Sequence, residues 1–95
     1  MKIAKLAESF NLPVAPHFMM ELSVHALCAV PNGLILEDLH GGSLTDLGIL
    51  AEPIRVVRGE IAPPARPGHG IVFDLAALRR YEVTGRVTDV TPTRT

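Results

Sequence analysis

The chain has 95 residues, room for one domain, and its 9 Lys and Arg stand against 10 Asp and Glu for a net charge of −1. That balance excludes the basic stripe of a nucleic-acid binder. The longest apolar run, Ala26 to Val30, falls far short of the roughly 20 residues that a membrane helix needs. One cysteine forms no internal disulfide and the N-terminus has no signal-peptide core, so the sequence reads as cytoplasmic, without nucleic-acid or membrane partners. The chain is nevertheless 47% apolar and only 20% charged, with a mean hydropathy of +0.28. A chain of this size hides only about 60–65% of its unfolded surface. Some of its apolar faces are therefore expected to belong against something else.

In chain order, Met1 to Phe10 is expected to be a helix, with Ile3, Leu6, Ala7 and Phe10 at helical spacing, Lys2, Lys5 and Glu8 outward, and Asn11 as the stop. Leu12 to Pro16 is short and wholly apolar, as a buried strand would be, although its prolines lack amide donors. A second helix is predicted over Met20 to Val30, with Leu22, Ala26, Ala29 and Val30 as its apolar positions and Pro31-Asn32-Gly33 ending it. Leu34 to Leu36 is a second apolar strand that closes on Glu37. Strand, helix and strand with so long a crossover is the parallel βαβ unit. His17 and Glu37 are then expected at the C-terminal ends of two parallel strands, on one edge of the sheet.

The remainder differs in character. A helical turn is expected near Leu44 to Leu50, and a small hairpin with arms Ile54–Val57 and Glu60–Ala62 around Arg58-Gly59. Pro63 to Gly70 is irregular chain. Asp74 caps a predicted helix over Leu75 to Tyr81, with Leu75 and Leu78 on its inner face. From Thr84 the tail is Thr-rich and poor in apolar residues, so fraying is expected.

The segments Ala15-Pro16-His17-Phe18-Met19-Met20-Glu21-Leu22 and Ala29-Val30-Pro31-Asn32-Gly33-Leu34-Ile35-Leu36-Glu37 resemble the C-terminal part of the mandelate racemase/muconate lactonizing enzyme family of the enolase superfamily. The later Pro67-Gly68-His69-Gly70-Ile71 through Tyr81 resembles its C-terminal signature, a Pro-Gly-x-Gly loop before a short helix, with His69 in place of the usual leucine. The resemblance implies an α/β chain that is part of a (β/α)7β TIM-type barrel. It covers the last βαβ unit, strands seven and eight, plus a segment that would return to a capping domain. On this mapping residues 1–37 are the barrel portion, 38–83 the crossover, hairpin and short helix, and 84–95 a disordered tail.

The resemblance also implies a chemistry. Members of this family bind Mg2+ through carboxylates on the third to fifth strands and abstract the proton α to a carboxylate. His17 matches the general base at the end of the seventh strand. Glu37, twenty residues later as in the family motif, matches the carboxyl that stabilises the enediolate. These residue types suit the task on chemical grounds as well. An imidazole with an ordinary pKa of about 6.5 is a matched base at neutral pH. A carboxyl kept protonated by burial can donate a hydrogen bond to a developing oxyanion. A histidine base points to acid-sugar dehydratase-like or racemase-like members, with the reaction open between them.

Other candidates carry weaker signals. Glu21 could cap the first turn of its helix, His25 reads as a surface or partly packed residue, and Cys28 reads as a core residue. Asp38 and His40 offer two metal-ligand types without a third. The metal carboxylates lie outside these residues, so Mg2+ belongs to the complete family enzyme and no metal is expected on this chain alone. Expected partners are the missing capping domain and strands one to six, or a second copy, with a sugar-acid carboxylate as substrate of the full enzyme. The alternatives are a non-catalytic remnant or association module, or one half of a split enzyme.

Overall fold

The computed structural model describes residues 1–84. Helix α1 spans Lys2–Ser9, α2 spans Met20–Cys28, and α3 spans Leu75–Leu78 and tightens into a 3-10 turn over Arg79–Tyr81. Sheet pairing among the described residues is reduced to three isolated bridges: Val14 with Gly33, parallel, and Leu50 with Phe73 and Val57 with Glu60, both antiparallel. These residues close no barrel.

The first bridge sets the geometry of the N-terminal half. The Val14 amide donates to the Asn32 carbonyl at 2.9 Å, and the Leu34 amide donates to the Val14 carbonyl at 2.9 Å. The two strands expected over 12–16 and 34–37 shrink to this single rung. The physical reason lies in the prolines: the next parallel rung would need an N–H from Pro16, which has none. On the other side Asn32 substitutes a side chain for the ladder, its Nδ2 donating to the carbonyls of Leu12 at 2.9 Å and Ala4 at 3.0 Å. One residue thereby ties α1 to both strand segments.

Helix α1 ends where its sequence predicts, with Asn11 in the left-handed region at φ 55°. Its apolar stripe has no cover among the described residues, because Ile3 is 81% exposed and Leu6 and Phe10 are also exposed. In α2 the buried face is Met20, Glu21 and Val24. The sequence had favoured Leu22, Ala26 and Ala29, all of which are exposed, and Cys28 is exposed rather than in the core. The helix stops short of Val30, since a residue before proline is disfavoured in the helical region. The core itself is small, made of Met20 and Val24 with Ile49, Leu50 and Ile54.

The C-terminal half packs through contacts that no local pattern announced. Ala51 donates to the Val72 carbonyl at 2.9 Å and Asp74 to the Ile49 carbonyl at 2.9 Å, so the chain returns antiparallel beside itself. The segment expected as a helical turn near Leu44 makes the bond from Leu47 to Ser43 at 3.0 Å but forms no helix. The hairpin keeps one rung, Val57 with Glu60, across Arg58 and Gly59 at φ 54° and 78°. Two left-handed residues make the tight turn whose twist suits a hairpin, and with no third strand beside it among the described residues the arms do not extend. Asp74 caps α3 as predicted, accepting from the amides of Ala76 at 2.9 Å and Ala77 at 3.1 Å. Leu75, expected on an inner face, is exposed, and only Leu78 is half-buried. Tyr81 and Arg80 anchor this end by donating to the carbonyls of Leu47 and Gly48, both at 3.1 Å. The expected disordered tail lies outside the described residues apart from Thr84.

The radius of gyration is 16.3 Å, against about 12 Å for a compact domain of this length. The chain is spread out because its helices lie over little. No helix among the described residues is long and apolar enough to cross a membrane.

Two outcomes are expected. At about 25 cal/mol per Å2, several hundred Å2 of bare apolar surface favours association by several kcal/mol. Sedimentation of the purified chain should show oligomers or aggregates, and a 10.2 kDa monomer that unfolds cooperatively would contradict this. Replacing Asp74 by Ala should cost α3 about 1 kcal/mol, read as faster amide exchange at Ala76 and Ala77, with α1 and α2 unaffected.

Candidate active site

The site is built where the two parallel segments end. Beyond Pro16 the chain reaches His17 and then reverses through Phe18 and Met19, both left-handed at φ 64° and 51°, before entering α2. Non-glycine residues in that region cost of order 1–2 kcal/mol each. Two such residues in succession persist only where their surroundings fix them. The Phe18 amide donates to Glu37 Oε2 at 3.2 Å. The Ser23 hydroxyl donates to the Phe18 carbonyl at 2.9 Å. The Phe18 ring lies against Gly42, where an added Cβ would come within 3.0 Å of both Phe18 Cε2 and Leu39 Cδ2.

Glu37 closes the second segment, and its Oε2 lies 2.6 Å from His17 Nδ1. The parallel arrangement therefore brings together, at one edge, the two residues that the sequence singled out. The Phe18 amide, and after it the hydrogen bond from His17, hold the Glu37 carboxyl below its ordinary range, against the opposing effect of desolvation. An ionised carboxylate only accepts, so Nδ1 carries a proton and donates, and in the neutral imidazole Nε2 then keeps its lone pair. The His17 side chain is 78% exposed and that of Glu37 43%. The burial that would keep Glu37 protonated as an oxyanion donor is not provided by the described residues.

The other candidates take structural positions. Glu21 is fully buried; its Oε1 accepts from the Thr45 amide at 2.8 Å, and its Oε2 has no partner among the described residues. It fastens the segment after Glu37 to the start of α2 instead of facing solvent at the helix end. His25 Nε2 donates to the His69 carbonyl at 3.0 Å, and His69 Nδ1 accepts from the Ile71 amide at 3.0 Å, so both histidines secure the Pro-rich loop. Asp38 and His40 are exposed. Among the described residues no three His, Cys, Asp or Glu side chains gather in a way that could hold a metal. Mg2+ demands near-octahedral oxygen ligation, and the Glu37 carboxylate already serves His17 and Phe18. The residues present do not fit that ion by themselves.

The sequence did not reveal Phe18, Ser23 and Gly42 as parts of the site. A hydroxyl residue in the first turns of a helix is a general hint, since Ser readily bonds nearby backbone. The Gly42 contact depends on a fold-back that no local signal encodes.

Comparison with known proteins gives this edge its context. A sequence model described as "Enolase C-terminal domain-like" matches residues 1–77. The chain is 42% identical over 82 residues to a 3,6-anhydro-alpha-L-galactonate cycloisomerase of Streptomyces coelicolor, a match covering 86% of this chain and 22% of that protein. It is 33% identical over 90 residues to a D-xylonate dehydratase of Haloferax volcanii, covering 88% and 22%. A crystal structure of an enolase from Bradyrhizobium complexed with magnesium and mandelic acid matches with a TM-score of 0.70 at 33% identity, over 86% of this chain and 21% of that one. An enolase of the mandelate racemase subgroup from Agrobacterium tumefaciens matches with a TM-score of 0.68 at 27% identity, over 83% and 22%. The chain belongs to the enolase C-terminal domain-like family, and corresponds to the C-terminal portion of enzymes in the mandelate racemase branch of the enolase superfamily. It spans about a fifth of the length of these relatives.

The depressed Glu37 pKa makes the His17–Glu37–Phe18 contact pH-dependent with a defined sign. A lowered folded-state value means that the contact is at full strength above the unfolded carboxyl range and is lost as pH falls through the folded value. A carboxyl 13C titration should give a Glu37 midpoint below the ordinary value of 4.5. His17→Asn should raise it only part of the way, because the Phe18 amide is the larger cause. A midpoint at or above the ordinary value would contradict the geometry.

Proposed function

We propose that this chain supplies the proton-abstracting edge of an enolase-superfamily enzyme acting on a sugar-acid carboxylate. The observation that carries the reading is the 2.6 Å contact of His17 with Glu37 where the two parallel segments end. Catalytic residues of barrels gather on this face. The relatives' names, a cycloisomerase of an anhydrogalactonate and a dehydratase of xylonate, supply the substrate class.

In the proposed reaction His17 Nε2 takes the proton α to the substrate carboxylate. The C–H bond breaks, an N–H bond forms, and the electron pair moves into the carboxylate to give an enediolate. From there the β-hydroxyl departs as water in a dehydration, its C–O bond breaking as it takes the proton carried by His17 Nε2, or a proton is delivered to the α-carbon in an isomerisation by His17 or by an acid outside these residues. Glu37 meets the enediolate oxygen with its carboxyl, a role that needs a proton and thus the cover of the remaining enzyme. One relative's structure holds magnesium. In the complete enzyme that ion would be held by carboxylates outside these residues. On this reading the chain is inactive alone and works as the C-terminal portion of a larger enzyme, whether joined to the rest or completed by a separate chain.

A second reading, an association module without catalysis, is favoured by one observation. An apolar groove of about 490 Å3 runs between α1, the first strand segment and α2, lined by Ile3, Ala4, Val14, Ala15, Leu27 and Val30 among others. Both readings call for a covering partner. They part on whether that partner restores chemistry.

The test supplies the complementary portion of the Streptomyces coelicolor relative as a second polypeptide, with Mg2+, and offers 3,6-anhydro-L-galactonate and D-xylonate. The proposal predicts turnover of a sugar acid by the pair, none by either part, and loss of about 1,000-fold when His17 is replaced by Asn, within the range for removing a general base. A soluble, stably associated pair without turnover would favour the association module.

A further inference from the structure

We propose that Ser23 is a positioning residue for His17, acting through the Phe18 carbonyl. This rests on the reading of His17 as the base and adds a residue that neither the sequence motif nor the comparisons assign to the site. Phe18 follows His17 directly, so the orientation of the peptide after His17 decides whether the imidazole and the Phe18 amide can both face Glu37. Both ends of Phe18 are pinned. Its N–H donates to Glu37 Oε2 at 3.2 Å, and its carbonyl accepts from Ser23 Oγ at 2.9 Å.

These two bonds act on a residue that is left-handed at φ 64° beside another at φ 51°. A backbone in that region relaxes unless its neighbours over-determine it. The Glu37 bond is the longer of the two, and its oxygen is shared with His17 Nδ1 at 2.6 Å. Ser23 is a firmer anchor: it lies within α2, and its residue is half-buried. The Phe18 ring supports the same arrangement from the other side, where Gly42 leaves it room at 3.0 Å. Ser23 thus holds the reversal that points Nδ1 at Glu37 and keeps Nε2 free. It touches neither imidazole nor carboxylate, so its effect passes entirely through the backbone.

The test reads the His17 tautomer in the full chain by long-range 1H–15N correlation of its imidazole at about pH 8, above the ordinary imidazole range. The parent chain should show Nδ1 protonated and Nε2 unprotonated. Ser23→Ala should lose that signature and give a mixture of tautomers, while Ser23→Thr, which restores a hydroxyl, should recover it. The Thr45 amide, bonded to Glu21, reports whether the core is intact in each variant. A His17 signature unchanged in Ser23→Ala would overturn the proposal. So would its loss in both variants together with the Thr45 signal. The readout needs no turnover, so a failure of His17→Asn to abolish chemistry would overturn the base assignment while leaving this positioning result standing.

Discussion

Two backbone hydrogen bonds, Val14 to Asn32 and Leu34 to Val14, govern the N-terminal half of this chain. They fix two segments parallel and in register, so the chain on both sides leaves at the same edge. On one side it leaves as His17, on the other as Glu37. A shift of one residue in either segment would turn one of these side chains to the opposite face. The proximity of imidazole and carboxylate therefore follows from the register. The register is kept by one rung and by the side chain of Asn32, because Pro16 cannot extend the ladder.

The second half of the chain serves the first. Glu21, at the start of α2, accepts from Thr45, and the Thr45 hydroxyl both donates to the Ile54 carbonyl and accepts from the Ile54 amide, at 3.1 and 3.2 Å. This short network seats the segment after Glu37 against Met20 and Val24, where the small core lies. A fully buried carboxyl is costly unless its hydrogen bonds are satisfied. Placing one beneath the site gives up stability for a fixed position of α2, and so of the reversal that carries His17. Among the described residues no outer layer covers these elements. Ile3, Leu6, Phe10, Leu34 and Ile35 all present apolar surface, and the relatives are about four times as long.

Much of this was legible in the sequence, for identifiable reasons. Helices α1 and α2, the left-handed Asn11, the cap at Asp74 and the turn at Arg58-Gly59 follow from residues acting within one or two turns of themselves. The pairing of His17 with Glu37 needed more than spacing. It came from the βαβ reading together with the resemblance to the family. The inner face of α2 was not legible, because the helix is apolar on several sides and its cover comes from residues 43–54. Glu21 misled for the same reason, as a carboxylate is solvated by default and only the fold-back of Thr45 buries it. The expected strands shortened because tertiary neighbours, not propensity, make a ladder. The role of Ser23 lay hidden in a backbone conformation that sequence does not display.

Isotope exchange at the substrate's α-carbon tests the central claim most directly, since it reports removal of the proton before any later step. With the rest of a family enzyme supplied, a sugar acid deuterated at that carbon should lose its label to water in the presence of the parent chain. With His17→Asn the label should stay, while binding of the two polypeptides is unchanged. Label lost at the parental rate with His17→Asn would contradict the account, for the proton would then leave by way of some group other than this histidine.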